Sequence, residues 1–132
     1  MSQDTVANLL SSLKNAYAVG KPEIRIPFLG FNLALVKILV SEGYVASVNR
    51  VLVKKGVEEI VIKLNNPKIQ GEIIRNIKRI SKPSIRQYVS VEELPHHNRR
   101  LGIVIISTPE GLMTTREAVK KNLGGELICR VW

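Results

Sequence analysis

Residues 101–118, LGIVIISTPEGLMTTREA, carry the pattern that decides the fold of this chain. The β-branched run Ile103–Ile106 is typical of a buried strand because it is short, apolar and bounded by turn-forming residues. Pro109 and Gly111 favour a turn directly after it, since proline presets its own φ and glycine tolerates unusual backbone angles. The segment 112–113, Leu-Met, is therefore predicted to return as the second strand of a hairpin.

A helix and a last strand are predicted behind this hairpin. Thr114 or Thr115 offers a hydroxyl N-cap for a helix that continues over Arg116–Asn122. After a pair of glycines, Glu126–Val131 has the composition of a strand. The hairpin would present small hydroxyls and backbone amides at its tip, although the spacing alone favours an ordinary structural hairpin.

The composition indicates a small folded protein with a basic surface. Its 132 residues are 45% hydrophobic but only 5% aromatic, and Lys+Arg number 20 against 11 for Asp+Glu, a net charge of +9. Such a charge is typical of proteins that bind nucleic acid or an acidic membrane surface. A single cysteine excludes an internal disulfide and fits a reducing compartment. Neither a transmembrane helix nor a secretory signal is expected, because no apolar run reaches about 20 residues and the start lacks a basic segment.

The first half of the chain predicts the element order α-β-α-β-β. The spacing of apolar and turn-forming residues first indicates a helix that begins at Asp4 and ends at Gly20, followed by a strand over Glu23–Ile26. A buried helix capped by Asn32 comes next. Two strands are then predicted over Tyr44–Val53 and Glu59–Leu64. Asn65-Asn66-Pro67 is the best candidate for a domain boundary. We therefore expect one domain over residues 1–66 and a second over residues 67–132.

The segment after this boundary is ambiguous. Isoleucines at 73, 74, 77 and 80 fit one helix face, but Ile77–Ile80 and Ile85–Val89 also fit two strands joined by residues 81–84. Between Ile74 and Tyr88 the chain carries five cations and no acid: Arg75, Lys78, Arg79, Lys82 and Arg86. Basic residues next to an aromatic suit a phosphate backbone and a stacked base, although a solvated basic face is an equally good interpretation.

No catalytic or metal-binding motif is found. Val91–Pro95 is predicted to form one helical turn that the proline stops, and His96–Arg100 a polar connector. The adjacent His96 and His97 with Cys129 lack the spacing of a zinc site, and the apolar neighbours of the cysteine favour a buried thiol. We therefore expect no enzyme activity, no metal, no cofactor and no small-molecule substrate.

The central stretch resembles the signature of a ribosomal protein family, that of the eighth protein of the small subunit (ribosomal protein S-eight, bacterial or organellar type). In that signature a glycine-led aliphatic strand precedes Ser-Thr, a glycine, two aliphatic residues, Thr and a helix, and Gly102–Ala118 follows it position by position. The resemblance covers essentially the whole chain, and further matches are Arg79–Pro83, Ile85, Arg86, Tyr88, Glu93-Leu94-Pro95, Gly124-Gly125-Glu126, Cys129, and, near the start, Asp4, Leu10, Asn15, Ala16 and Glu42-Gly43-Tyr44.

The resemblance implies an α+β fold of two small packed domains, the second mostly β with a short helix. It also implies a basic strand pair over Ile77–Val89, which would resolve the ambiguity above. Family members bind the central domain of small-subunit ribosomal RNA early in assembly, mainly through the carboxyl-terminal domain. The residues that match the family's RNA contacts are Ser107, Thr108 and Gly111 in the hairpin, Tyr88, Lys82 and Arg86 in the basic strands, and Gly124, Gly125 and Glu126.

Some positions depart from the family pattern. Glu110 stands where a basic residue is usual, Ser84 replaces a glycine, Thr115 an aspartate, and Val119 and Ser12 common arginines. Fewer cations suggest a weaker or altered RNA interface that partner proteins support. The terminal Trp132 is similar to organellar members.

The sequence thus predicts a structural constituent of the small ribosomal subunit, in a bacterial cytoplasm or in a mitochondrion or plastid. Its expected partners are small-subunit ribosomal RNA and neighbouring ribosomal proteins, with no membrane partner. The alternative is a translational repressor that binds a messenger RNA stem with the same surface.

Overall fold

A computed structural model describes residues 4–66, 73–98 and 101–132. The chain divides into two compact units, residues 1–75 and 76–132. The predicted boundary at Asn65-Asn66-Pro67 borders residues outside the described part and stays a prediction. The expected capping by the Asp4 side chain and the connector residues Arg99 and Arg100 also lie outside it.

The first unit has the predicted element order. It contains α1 (Asp4–Val19), β1 (Glu23–Pro27), α2 (Gly30–Ser41), β2 (Ser47–Lys54) and β3 (Val57–Lys63). The three strands form an antiparallel sheet in the order β1-β3-β2. Apolar residues that recur at helical spacing on α1 are buried, as are alternate residues of the central strand: Leu9, Leu13, Ala16, Ile60 and Ile62.

The beginning of α2 differs from its prediction. Leu29, with an extended backbone (φ −140°, ψ 141°), occupies the N-cap position, and no side chain caps the helix. Asn32 lies inside the first turn and is only 4% exposed. The predicted Asn32 cap is wrong because the helix already begins at Gly30, next to an N-cap whose extended backbone any residue can adopt.

The start of β2 also differs from its prediction, since the strand begins at Ser47 rather than at Tyr44. The Tyr44 amide donates to the Leu39 carbonyl at 2.9 Å, and the Gly43 amide donates to the Val40 carbonyl at 3.1 Å. Gly43 has φ +84°, so these bonds form the left-handed end of α2. Tyr44 therefore belongs to the helix end, whereas the Ala46 amide already donates to the Lys63 carbonyl of β3 at 2.9 Å.

The second unit is mostly β, as expected. It contains β4 (Ile77–Arg79), β5 (Tyr88–Val89), a 3₁₀ turn (Val91–Glu93), α3 (Leu94–His97), β6 (Ile103–Thr108), β7 (Gly111–Thr114), α4 (Thr115–Lys121) and β8 (Gly125–Val131). The strands form a five-stranded sheet in the order β4-β8-β6-β7, with β5 also paired to β8. One sheet face packs under α3 and α4 in a core of Leu94, Val104, Ile106, Met113, Ala118 and Leu127.

The strands β4 and β5 do not form the implied strand pair. Both pair with β8: Ile77 lies opposite Val131, and Tyr88 lies opposite Glu126. They are therefore two pieces of one interrupted edge. The intervening edge loop, residues 80–87, is closed by two backbone hydrogen bonds between Lys82 and Ile85, at 2.9 and 3.0 Å.

The position of Pro95 is a second correction in this unit. The proline occupies the first turn of α3, which continues to His97, instead of ending a helical turn. Proline is tolerated there because the amides of a first helical turn have no intrahelical acceptor. The two histidines predicted to lie in a connector are thus helical.

Candidate nucleic-acid interface

The β6–β7 hairpin forms as predicted, but Thr108 does not present its hydroxyl to solvent. The Thr108 Oγ1 accepts a hydrogen bond from the Glu110 amide at 3.1 Å and donates to the Gly111 carbonyl at 2.9 Å. Thr108 is only 8% exposed. The expectation of two exposed hydroxyls at the tip is therefore wrong for Thr108, whose hydroxyl is used to close the turn.

Ser107 lies in a row of three residues that crosses neighbouring strands. It pairs with Glu126 on β8, and Glu126 pairs with Tyr88 on β5. Directly paired residues of antiparallel strands point to the same face of a sheet. Ser107, Glu126 and Tyr88 thus form a row, the exposed row, which takes its name from Tyr88, 69% exposed; Ser107 and Glu126 are partly buried.

The exposed row lies on the face opposite the α3–α4 core. Val89, the neighbour of Tyr88, packs against that core, and Leu127, the neighbour of Glu126, belongs to it. Successive side chains of a strand alternate between faces, so Tyr88 and Glu126 point away from the helices. Tyr88 is therefore available for a partner on that side.

Arg86 is positioned beside this row by an ion pair. Its Nη1 lies 3.0 Å from Glu126 Oε2, with the arginine side chain 53% and the glutamate 15% exposed. The pair orients the guanidinium next to Tyr88 and neutralises the carboxylate that would otherwise repel phosphate. It leaves other guanidinium N–H groups able to donate to an anionic oxygen.

Gly124 and Gly125 have a structural reason to be glycine. A Cβ at Gly125 would lie 2.0 Å from the Ser107 carbonyl oxygen, and one at Gly124 would lie 2.6 Å from the Val89 carbonyl oxygen. Any side chain would force β8 away from β6 and β5. The two glycines therefore allow the close strand approach that places Glu126 between Ser107 and Tyr88.

Two of the predicted contact residues lie away from the row. Gly111 ends the hairpin turn with φ +110°, a value that favours glycine. Lys82 lies in the edge loop and lines a groove with Val104 and Leu127, residues of the α3–α4 core. Lys82 therefore belongs to the helix-covered side of the sheet, opposite the exposed row.

The structure offers little support for other chemistry. Within the described ranges no group of three or more His, Cys, Asp or Glu residues could hold a metal ion. Cys129 is fully buried, and this burial raises the pKa of its thiol to about 12, against the weaker lowering effect of Arg79. Among the described residues, no helix is long and apolar enough to cross a bilayer.

Sequence reasoning missed one cation of the groove that contains Lys82. Arg130 lies opposite Lys78 on the neighbouring strand and also lines that groove. The available signal was the alternation of Arg130 with buried residues in the last strand. This alternation was insufficient because the local spacing of apolar residues does not identify the strand that pairs with β8.

Comparison with known proteins identifies the class as ribosomal. The sequence model of the family described as "Ribosomal protein S8" matches residues 4–132. The chain is similar to "Small ribosomal subunit protein uS8" of Thermus aquaticus, with 42% identity over 139 residues and 100% of both chains covered. The same name is carried by a Deinococcus deserti protein with 37% identity over 133 residues, again covering both chains completely. A Bigelowiella natans protein named "Small ribosomal subunit protein uS8c" is 38% identical, with 98% of each chain covered.

The chain belongs to the ribosomal protein S8 family. The resemblance seen in the hairpin signature is thereby confirmed, as is the expected α+β fold.

Proposed function

We propose that this protein is a non-enzymatic constituent of the small ribosomal subunit that binds the central domain of small-subunit ribosomal RNA. The relatives carry the name of a small-subunit protein, and the net charge of +9 suits a polyanionic partner. The ribosome of a bacterium or of an organelle is its place of action, with neighbouring ribosomal proteins as further partners.

The observation that carries this proposal is the exposed row with its adjacent arginine. Tyr88 offers an exposed ring face on which a base can stack, and Ser107 offers a small hydroxyl. Arg86 offers a guanidinium whose position is fixed by its hydrogen bond to Glu126. Single-stranded and irregular RNA is recognised by stacking on aromatic rings and by hydrogen bonds to base edges and 2′-hydroxyls. The three groups thus supply the contacts that such RNA needs. Strands hold Tyr88 and Ser107, and the ion pair with Glu126 holds Arg86.

A substitution of Tyr88 tests this proposal. Stacking of one base is worth about 1–3 kcal/mol, so Tyr88→Ala should lower affinity for a central-domain transcript by roughly tenfold or more. Tyr88→Phe keeps the ring and should retain most of the binding. The matched control is Leu101→Ala, because Leu101 is equally exposed, at 69%, and lies outside the row.

Gel-shift titrations with the transcript and with an unrelated RNA stem provide the measurement. The proposal predicts that Tyr88→Ala loses affinity for the transcript while keeping its weaker, charge-driven affinity for the unrelated stem. Equal affinities of Tyr88→Ala and Leu101→Ala for the transcript would contradict it. A wild-type chain that stays out of the small subunits during high-salt sedimentation would contradict the ribosomal role.

A further inference from the structure

The outer side of β2, in the first unit, is an open sheet edge. In the sheet order β1-β3-β2 this eight-residue strand lies at one border, and no other strand of the described residues pairs with its outer side. Leu52 and Val53 on this strand are 68% and 52% exposed. Unpaired backbone groups next to exposed apolar side chains form a template on which another strand can pair.

The opposite border of the same sheet is protected against such pairing. β1 has only five residues and ends at Pro27, which has no amide hydrogen to donate. Arg25 lies 3.8 Å from Glu23 and 3.7 Å from Glu59, so paired charges accompany this border. Short length, proline and charge are the usual means by which proteins prevent strand addition. β2 is longer, contains no proline and carries the apolar run 51–53.

The register shows which backbone groups of β2 are left unpaired by the sheet. The Phe28 amide donates to the Glu58 carbonyl at 3.0 Å, so Glu58 and, two residues on, Ile60 form their backbone bonds towards β1. The residues opposite them on β2 are Leu52 and Arg50. Hydrogen bonds alternate along an antiparallel ladder, so the N–H and C=O groups of Leu52 and Arg50 point outward. They have the spacing that the backbone of an added strand matches.

A groove lies beside Leu52 at this open edge. It measures about 470 Å³. The residues that line it are Phe28, Leu52, Gly56, Val57 and Glu58. Its wall is fixed, because the Arg50 guanidinium stacks on the Phe28 ring, 3.8 Å from the ring centre, and the Arg50 Nε donates to Glu58 Oε2 at 3.1 Å. The groove can therefore receive a large apolar side chain of an added strand.

The charges around the open edge favour an acidic partner. Between Gly43 and Val57 the chain has three cations, Arg50, Lys54 and Lys55, and no acid. Glu58 neutralises Arg50, which leaves the two lysines. Lysines at a sheet edge disfavour pairing with a second copy of this chain, and the net charge of +9 adds to that repulsion. Acidic side chains on an added strand would instead be attracted.

We propose that the open edge of β2 binds an extended, acidic segment of a neighbouring protein, which adds to the sheet as a fourth strand. This inference deepens the proposed function and rests on it, since a constituent of the small subunit has other proteins as neighbours. Backbone hydrogen bonds to Arg50 and Leu52 provide affinity, whereas the groove and the two lysines select the side chains of the partner. The first unit thus holds a protein strand.

Photocrosslinking in purified small subunits tests this inference. A photoreactive benzophenone amino acid in place of Leu52 should label a protein segment in which apolar residues alternate with acidic ones. The control probe replaces Val19, an exposed residue of α1, and should not label that segment. Label on RNA, on a second copy of this chain, on a segment without acidic residues or on no molecule would overturn the inference. So would label on the same segment from both positions, because it would not be specific to the edge.

Two variants at one position separate backbone pairing from side-chain contact. Leu52→Pro and Leu52→Ala both remove the leucine side chain, but only the proline also removes the outward N–H. With the labelled segment as a synthetic peptide, Leu52→Pro should bind about fivefold more weakly than Leu52→Ala, the loss expected for one hydrogen bond. Equal affinities would overturn strand addition.

Hydrogen exchange of the wild-type chain decides the case in which Leu52→Pro does not fold. The outward Arg50 amide should exchange quickly in the free chain and become protected when the peptide binds. An Arg50 amide that exchanges equally fast with and without saturating peptide would overturn the inference.

A failure of the proposed function would look different. In that case the wild-type chain would be absent from small subunits after high-salt sedimentation. Crosslinking from position 52 in intact cells, followed by the same peptide titrations, would then decide the inference. A labelled acidic segment that binds Leu52→Ala more tightly than Leu52→Pro supports it, and the absence of a labelled protein overturns it.

Discussion

At the residue scale, Gly125 connects the fold to the exposed row. Because an added Cβ would lie 2.0 Å from the Ser107 carbonyl oxygen, Gly125→Ala must separate β8 from β6. Overpacking of this kind costs about 1–3 kcal/mol, which urea unfolding of the variant should show as a lower free energy of unfolding. Gly30→Ala is the control, since no atom lies within 4 Å of its added Cβ. If Gly125→Ala lost RNA affinity at unchanged stability, the glycine would act directly at the RNA.

The two hydroxyls of the hairpin should respond differently to removal. Thr108→Val deletes both hydrogen bonds that close the turn, so a loss of about 1–3 kcal/mol of stability is expected. Thr108→Ser keeps the hydroxyl and should be nearly neutral. Ser107→Ala should melt like the wild type but bind the central-domain transcript several-fold more weakly. The reverse pattern, with Ser107→Ala unstable and Thr108→Val stable, would refute these separate roles.

The buried thiol of Cys129 makes stability depend on high pH. Burial raises the pKa from its ordinary value of 9.0 to about 12 in the folded chain. The stability that the neutral thiol contributes is therefore complete below pH 9 and is lost as the pH rises towards 12. Urea unfolding at pH 8 and pH 11 should show a larger decrease for the wild type than for Cys129→Ala. Equal decreases would mean that the thiol is not buried in solution.

At the scale of elements, local sequence rules predicted the features that depend only on residues close together in the chain. The β-branched run, the turn at Pro109 and the capping hydroxyl were each identifiable, and the structure selects Thr114 as the cap, its Oγ1 accepting from the Glu117 amide at 3.2 Å. The pairing of β4 and β5 with β8 was not identifiable. That choice depends on a distant strand, since Val131 follows its partner Ile77 by 54 residues and Glu126 follows its partner Tyr88 by 38. The local pattern of two short strands is equally compatible with their pairing to each other.

The edge loop should lose its order when its base is opened. Ser81→Ala removes the acceptor of the Gln87 amide, a partly buried hydrogen bond worth about 1 kcal/mol. Hydrogen exchange at the amides of Gln87 and Ile85 should accelerate, while the amides of β6 keep their protection. Ser84→Ala, in the exposed turn, is the control. Uniform acceleration over the whole second unit would indicate that Ser81 supports the core instead of the loop.

At the scale of the whole molecule, the family signature predicted more about the site than the residue patterns did. The hairpin residues, Tyr88 and the glycine pair were all taken from that resemblance, and the strand register brings Tyr88, Glu126 and Ser107 together. The sequence did not predict that Tyr88 and Lys82 lie on opposite sides of the sheet edge. Placing Lys82 with Arg130 in a groove requires the interrupted edge, which no local pattern in the sequence indicates.

The central claim is that the exposed row of the second unit contacts small-subunit ribosomal RNA. A cryo-electron microscopy structure of small subunits that contain this chain tests it most directly. The account predicts a base stacked on Tyr88 and a central-domain nucleotide within hydrogen-bond distance of the Ser107 hydroxyl. A row that faces solvent or another protein in the assembled particle, with no RNA atom in contact, would contradict it.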